Sequence, residues 1–180
     1  MTGTDSNCLT NKDDMEGEMD AATSKKMDMV ALKNLSKKLG VTINDVVMSS
    51  ASLALREYFK IKKDPLGQAK DAHVNVFIPA NIRFEAYKTY KDIKLENKWA
   101  ALPISLPLID SMQQSSVVRQ ATSKIKNSLN FVYGSYALTF WSAILLTRQL
   151  PAFFLDQVTR KFTIAISNTP GPLKQYRYKN

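Results

Sequence analysis

The sequence predicts an α/β fold, with a mixed sheet flanked by helices. One observation predicts the α/β class, and a second predicts a single domain. Segments with apolar residues at helical spacing alternate along the chain with short apolar runs of alternating pattern. The chain has 180 residues, 44% of them hydrophobic, which is enough for one domain with its own core.

The N-terminal segment differs in charge from the rest of the chain. Residues 1–24 hold six acidic residues and one lysine, a net charge of −5, and because the whole chain carries +9, the remainder carries +14. This division predicts an acidic, poorly ordered arm over residues 1–26, followed by a basic globular body over residues 27–180.

The positive charge of the body has two interpretations. It forms a solvated, lysine-rich surface, or it attracts an anionic partner such as a phospholipid face, a nucleotide-bearing cofactor or nucleic acid. Nucleic acid is disfavoured, because the sequence shows no basic run interleaved with aromatics and no zinc-finger or RNP-like pattern. The longest apolar stretch, Tyr136–Thr147, is shorter than the roughly 18–20 residues that a membrane span needs.

Five helices are predicted in the body. Met27–Leu39 has leucines at helical spacing and ends before Gly40. A second helix runs over Ile43–Phe59, where Thr42 and Asp45 fit a capping box. Three later helical segments are predicted at Ser111–Leu129, Tyr136–Leu146 and Ala152–Val158.

Three strands are predicted between and after these helices. In the first, Val74, Val76 and Ile78 alternate with Asn75 and Phe77, and the strand is expected to end at Pro79. Trp99–Leu108 is mostly apolar, and its two prolines favour an edge strand or a bulge. Lys161–Ser167 is the last predicted strand.

Residues that could transfer protons near neutral pH are scarce. His73 is the only histidine, and the sequence around it offers no serine or cysteine partner. Cys8 is the only cysteine, which excludes a multi-cysteine zinc site. No nucleophile elbow or phosphate-binding Gly-rich loop is present. We therefore predict no catalytic residue and no metal site in this chain.

Two polar segments are unusual for a plain scaffold. Asn44 and Asp45 lie in the first turn of an otherwise apolar helix, where capping explains one of them. The segment Ser167–Pro172 follows the last strand and is a turn by composition. Because two prolines flank its glycine, its backbone is restrained, which also suits the wall of a binding site.

Four short segments occur in a fixed order, and together they resemble the C-terminal domain of the wax ester synthase/diacylglycerol acyltransferase family. The resemblance covers residues 27–178, so that residues 27–180 are expected to form this domain. The four segments are Gly40–Val47, Val76–Arg83, Glu96–Asn97 leading into Leu102–Leu108, and Ile166–Pro172.

The resemblance implies one half of a two-domain, CoA-dependent, chloramphenicol acetyltransferase-like fold with a substrate tunnel between the halves. It implies an O-acyltransferase that moves a fatty acyl group from acyl-CoA to diacylglycerol or a long-chain alcohol, forming triacylglycerol or wax ester. Acyl-CoA is a co-substrate, and no other cofactor is implied. The family's base lies in a His-His-x-x-x-Asp-Gly motif of the N-terminal half, which this sequence lacks. The chain alone is therefore expected to be inactive.

The resemblance also implies a substrate-binding role for residues in the matching segments. Arg83 is open to two interpretations, a contact with a CoA phosphate or with a surface carboxylate. The expected partners are acyl-CoA, the lipid acceptor, a membrane surface and the histidine-bearing N-terminal half, but no nucleic acid. The substrate-binding residues are Asn44, Asp45, Arg83, Ser167, Asn168, Gly171 and Pro172.

Two other interpretations remain open. The chain is a catalytically inactive binding or interaction module with the same fold, or it is a basic amphipathic membrane adaptor. With the basic body and the apolar Tyr136–Leu155 region, we expect peripheral membrane association at the cytoplasmic face of the endoplasmic reticulum or plasma membrane. The sequence leaves the acceptor alcohol and the preferred acyl chain open.

Overall fold

The computed structural model of the chain describes residues 5–10, 20–81, 99–126, 133–134, 136–137 and 160–169. Helices and strands follow one another along these residues, which confirms the predicted α/β class. The main elements are α1 (Met29–Leu39), α2 (Ile43–Ile61), β1 (His73–Asn81), β2 (Trp99–Pro107), α3 (Ser115–Lys126) and β3 (Ile164–Ala165), with 3₁₀ turns at Pro65–Gly67 and Met112–Gln114.

The described strands form a mixed sheet in the order β2-β1-β3. Strands β1 and β2 are antiparallel, with Val76 opposite Ile104, whereas β1 and β3 are parallel, with Val76 opposite Ile164. The mixed sheet flanked by helices is the predicted one. Within the described strands β2 lies at an edge, as its prolines indicated.

The prediction that β1 ends at Pro79 was wrong, because β1 continues to Asn81. The carbonyl oxygens of Asn75 and Phe77 point toward β3. They accept hydrogen bonds from the backbone N–H groups of Thr163 and Ile166, one on each side of β3. Pro79 is two residues after Phe77, so its backbone nitrogen also points toward the β3 side of β1. Strand β3 pairs only with Val76 and Phe77 and does not reach Pro79. A proline there removes no bond of the β1–β2 ladder.

The core lies between one face of the sheet and the helices. Alternate residues of β1 and β2, such as Val76 and Leu106, are buried against Phe59 and Met48 of α2 and Val118 of α3. This alternation gives the sheet one apolar face that must be covered. The helices are therefore held to the sheet chiefly by burial of apolar surface.

The opposite face of the sheet carries an aromatic cluster. Phe77 lies edge-to-face with Trp99 at 6.2 Å and with Phe162 at 5.8 Å between ring centroids. The three side chains are half-buried. The cluster ties the edge strand β2 to the residues that lead into β3.

Part of the acidic N-terminal segment packs on the body. The Asp5 carboxylate accepts hydrogen bonds from Asn75 N at 2.6 Å and Thr163 Oγ1 at 2.5 Å, and Cys8 N donates to Asp64 Oδ2 at 2.7 Å. Residues 5–10 therefore have partners on β1 and beside β3, which charge composition did not predict. The domain boundary at residue 26 stays a prediction.

Other element ends differ from those predicted. The third helix begins at Ser115 rather than Ser111, because the Ser111 side chain caps a preceding 3₁₀ turn. Strand β3 is limited to Ile164–Ala165 within the predicted Lys161–Ser167. Apart from Tyr136 and Ala137, the predicted helices Tyr136–Leu146 and Ala152–Val158 lie outside the described residues, as does the end of the third helix.

A buried arginine fixes the connection after α2. Arg56 is 4% exposed, and its guanidinium donates to the carbonyl oxygens of Leu66 at 3.1 Å and Ala69 at 2.7 Å. It also pairs with Asp110 at 3.2 Å. Hydrogen bonds from Lys60 and Arg56 hold the pKa of the Asp110 carboxyl below its usual value. One side chain thus joins α2, the connection and the residues after β2.

The same connection approaches α2 so closely that only glycine fits at residue 67. A Cβ added to Gly67 would lie 2.6 Å from Lys60 N and 2.8 Å from Phe59 C. Because both are backbone atoms, we expect Gly67→Ala to lower the free energy of unfolding by about 1–3 kcal/mol. Urea denaturation followed by circular dichroism would measure it. Gly134→Ala is the control, since an added Cβ there meets nothing within 4 Å, and equal stability of both variants would contradict this packing.

Candidate functional site

The N-terminus of α2 is held by reciprocal hydrogen bonds. Asp45 N donates to Thr42 Oγ1 at 3.2 Å, and Thr42 N donates to Asp45 Oδ2 at 3.0 Å. This is the predicted capping box. It starts the helix at Ile43 and places Asn44 in its first turn.

The structure brings two of the predicted site residues into contact. Asn168 Nδ2 donates a hydrogen bond of 3.1 Å to Asn44 Oδ1, although 124 positions separate them in the sequence. Asn44 is half-buried and Asn168 is exposed. The loop that follows β3 is therefore placed against the first turn of α2. This hydrogen bond engages Asn44 through Oδ1, so Asn44 Nδ2 takes no part in it.

Asp45 has a different environment from its neighbour. It is 2% exposed, and its carboxylate accepts hydrogen bonds from Thr42 Oγ1 at 2.7 Å and from Thr122 Oγ1 of α3 at 2.9 Å. A carboxylate so enclosed joins α2 to α3. Asp45 therefore shapes the surroundings of Asn44 from inside the fold.

A buried polar stripe extends along α2 from Asp45. Ser49 and Ser52 are 0% exposed. Ser52 Oγ donates to Pro107 O at 2.6 Å and accepts from Ile109 N at 3.0 Å, which ties α2 to the end of β2. The sequence predicted neither the hydrogen bonds of Ser52 nor the burial of Ser49, whose hydroxyl has no hydrogen-bond partner among the described residues. The three- and four-residue spacing of Asp45, Ser49, Ser52 and Arg56 was the available signal.

The remaining predicted site residues are placed less fully. Ser167 is exposed beside Asn168. Arg83, Gly171 and Pro172 lie outside the described residues, so their substrate-binding roles stay predictions.

The residues with acid–base or nucleophilic chemistry are not assembled in the described part of the chain. His73 is exposed at the start of β1, opposite Pro107, and no described residue hydrogen-bonds its imidazole. Burial and the Asp64 carboxylate raise the pKa of the Cys8 thiol, which favours its protonated, weakly nucleophilic form. Among the described residues, no group of three or more histidine, cysteine, aspartate or glutamate side chains is arranged to hold a metal ion.

The described site thus belongs to an α/β protein whose assembled polar groups are carboxamides, hydroxyls and one enclosed carboxylate. Residues 97–180 match the family model described as the WS/DGAT C-terminal domain. The matched residues include Asn168. Over 159 residues the chain is 28% identical to the O-acyltransferase WSD of Acinetobacter baylyi (strain ATCC 33305 / BD413 / ADP1). That alignment covers 81% of this chain and 30% of the relative. No solved structure matches.

These two findings confirm the resemblance to the WS/DGAT C-terminal domain. The chain spans less than a third of the length of the curated relative that it matches. A two-half fold, the substrates and the membrane association predicted above therefore remain proposals. No helix among the described residues is long and apolar enough to cross a bilayer.

Proposed function

We propose that this chain supplies a substrate-binding wall of an O-acyltransferase that transfers a fatty acyl group from acyl-CoA to diacylglycerol or a long-chain alcohol. The observation that carries the proposal is the hydrogen bond between Asn168 and Asn44. It unites two of the four segments on which the family resemblance rests. The base would come from a separate, histidine-bearing N-terminal half.

The chemistry of ester formation explains what such a wall would do. The acceptor hydroxyl gives its proton to the base and attacks the thioester carbonyl, so that a C–O bond forms and the C–S bond breaks. CoA leaves as its thiol after taking up that proton. Negative charge develops on the carbonyl oxygen, and donors fixed near that oxygen stabilise it. The first turn of α2 offers backbone N–H groups and the positive end of a helix dipole.

Asn44 is the side chain best placed to add a donor. Because Asn168 donates to Asn44 Oδ1, it selects the amide orientation in which Asn44 Nδ2 is directed away from this bond. In our proposal Asn44 Nδ2 meets the thioester oxygen and Asn168 acts as a positioning residue. Asp45 supports both by holding α2 against α3 through Thr122.

A second candidate function is a catalytically inactive binding module with the same fold. The exposed and isolated setting of His73 favours it, because the described part of the chain assembles no group for proton transfer. The two candidates differ in one respect. Only the first gains ester-forming activity when a histidine-bearing half is supplied.

The Asn pair is testable in an enzyme made by joining this chain to a family N-terminal half. We expect Asn44→Ala to lower kcat about 100-fold, the usual cost of one oxyanion donor. Asn168→Ala should lower kcat less, and the double variant should be no worse than Asn44→Ala, because both changes remove one oriented donor. Steady-state ester synthesis measures all three.

The matched control is His73→Ala, which removes an exposed imidazole and should leave kcat unchanged. Additive losses in the double variant would show that the two amides act separately. An Asn44→Ala variant with full kcat would contradict the proposed donor.

We further propose peripheral association with a membrane surface, where the lipid acceptor resides. The support is the basic body, which carries +14 once the acidic N-terminal residues 1–24 are set aside.

A further inference from the structure

The N-terminal end of α1 exposes apolar side chains. Val30 is 64% exposed and Met29 is 54% exposed, and Met27, immediately before the helix, is 72% exposed. These three residues lie together at the N-terminal end of α1. None of the three belongs to the hydrophobic core formed by the described residues.

Lysines surround these apolar residues. Lys25 and Lys26 precede the helix, and Lys33 and Lys37 follow Val30 at helical spacing. With Lys38, residues 25–39 contain five exposed lysines and one carboxylate. That carboxylate, Asp28, accepts a hydrogen bond from Val30 N at 2.9 Å as the N-cap, so it is engaged at the helix end.

Residues further along α1 hold the helix on the body. Leu32 and Leu39 are half-buried, and Ser36 is buried. The Arg119 side chain of α3 donates to the carbonyl of Gly40, directly after the helix. The exposed side chains at the N-terminal end are therefore presented on a helix that is already anchored.

We propose that α1 and residues 25–28 form a docking surface for an anionic phospholipid membrane. Apolar side chains at one end of an exposed helix enter the boundary between headgroups and acyl chains, and lysines beside them pair with anionic headgroups. The proposal deepens the membrane association proposed above, which it assumes, by naming the element that binds. It differs from the apolar Tyr136–Leu155 region that the sequence suggested.

The proposal is tested with the 180-residue chain and phosphatidylcholine vesicles prepared with and without phosphatidylserine. We expect flotation with the phosphatidylserine vesicles only. Lys33→Glu/Lys37→Glu should weaken binding at least about tenfold, because each lysine near an anionic surface contributes severalfold to affinity. Met29→Ser/Val30→Ser should also weaken binding severalfold, and it should remove the part that resists added salt.

Two matched controls separate α1 from the general charge and hydrophobicity of the chain. Lys70→Glu/Lys124→Glu makes the same charge change at exposed lysines on other elements. Ile61→Ser removes an apolar side chain that is 76% exposed at the end of α2. Both should bind vesicles as the unmodified chain does, and circular dichroism should show all variants folded.

Several results would overturn the proposal. Equal binding to both kinds of vesicle, equal losses in the control variants, or full binding by Met29→Ser/Val30→Ser would each do so. If sedimentation showed that the α1 variants abolish self-association of the chain while vesicle binding persists, the surface would be assigned to contact with a second copy of the chain instead.

A separate measurement distinguishes this proposal from the proposed function. In the joined enzyme, the α1 variants should keep turnover on detergent-dispersed substrates while losing recruitment to vesicles. Loss of turnover on dispersed substrates would overturn docking as the role of α1. An inactive unmodified enzyme would defeat the proposed function alone, because vesicle binding by the chain is measured without activity.

Discussion

Incubated alone with acyl-CoA and either diacylglycerol or a fatty alcohol, this chain should form no measurable ester. Its single imidazole, His73, is exposed and has no described hydrogen-bond partner. General base catalysis typically contributes about 100- to 10,000-fold, so a site without its base should give at most trace transfer. Radiolabelled acyl-CoA with thin-layer separation of the lipid products would measure this.

Activity should appear when a family N-terminal half that carries the His-His-x-x-x-Asp-Gly motif is added in trans or by fusion. The gain should reach at least about 100-fold over the chain alone, since it restores the base. A half in which the second motif histidine is replaced by alanine is the matched control and should give no gain. Robust turnover by the 180-residue chain, abolished by His73→Ala, would refute the proposed division of roles.

The largest effect on stability is expected at Asp45. Asp45→Ala removes the carboxylate half of the capping box, so that Thr42 N loses its acceptor, and it leaves Thr122 Oγ1 with only the carbonyl of Arg119 as an acceptor. The carboxylate accepts hydrogen bonds from Thr42 N, Thr42 Oγ1 and Thr122 Oγ1. A hydrogen bond to a charged group contributes about 1.5–3 kcal/mol, and removing the carboxylate also removes the cost of burying it, so we expect the free energy of unfolding to fall by about 2–4 kcal/mol. Urea denaturation followed by tryptophan fluorescence would measure it.

Two further variants separate the two contributions. Thr122→Val should cost less than Asp45→Ala, because the capping box with Thr42 remains. Ser123→Ala, at the neighbouring position of α3 with a more exposed hydroxyl, is the control and should have little effect. If Thr122→Val were as harmless as Ser123→Ala, the link between α2 and α3 would contribute nothing.

The sequence predicted those parts of the fold that depend on neighbouring residues. The start of α2 was predicted because Thr42 and Asp45 are three residues apart and act on the same helix end. The end of α1 before Gly40 follows likewise, since Gly40 adopts a left-handed conformation with φ of 66°. Both signals are local, so a single sequence contains them.

Contacts between distant segments were not predictable in the same way. Nothing near Asp45 indicates Thr122 as its partner, and nothing near Asn44 indicates Asn168. The family resemblance singled out both asparagines, but only folding brings them within 3.1 Å. The attachment of Asp5 to Asn75 was missed for the opposite reason, because acidic composition favours poor order and gives no sign of a specific acceptor site.

The prolines of β2 have a consequence for how this chain behaves beside other chains. Pro103 lies opposite Phe77 and Pro107 opposite His73, positions whose backbone groups face away from the β1–β2 ladder. Two of the outward positions of β2 therefore carry no N–H donor. A foreign strand approaching that edge would meet interruptions in the row of donors that cross-β growth requires. Among the described strands, we therefore expect this edge to template fibrils poorly, even though β2 is mostly apolar.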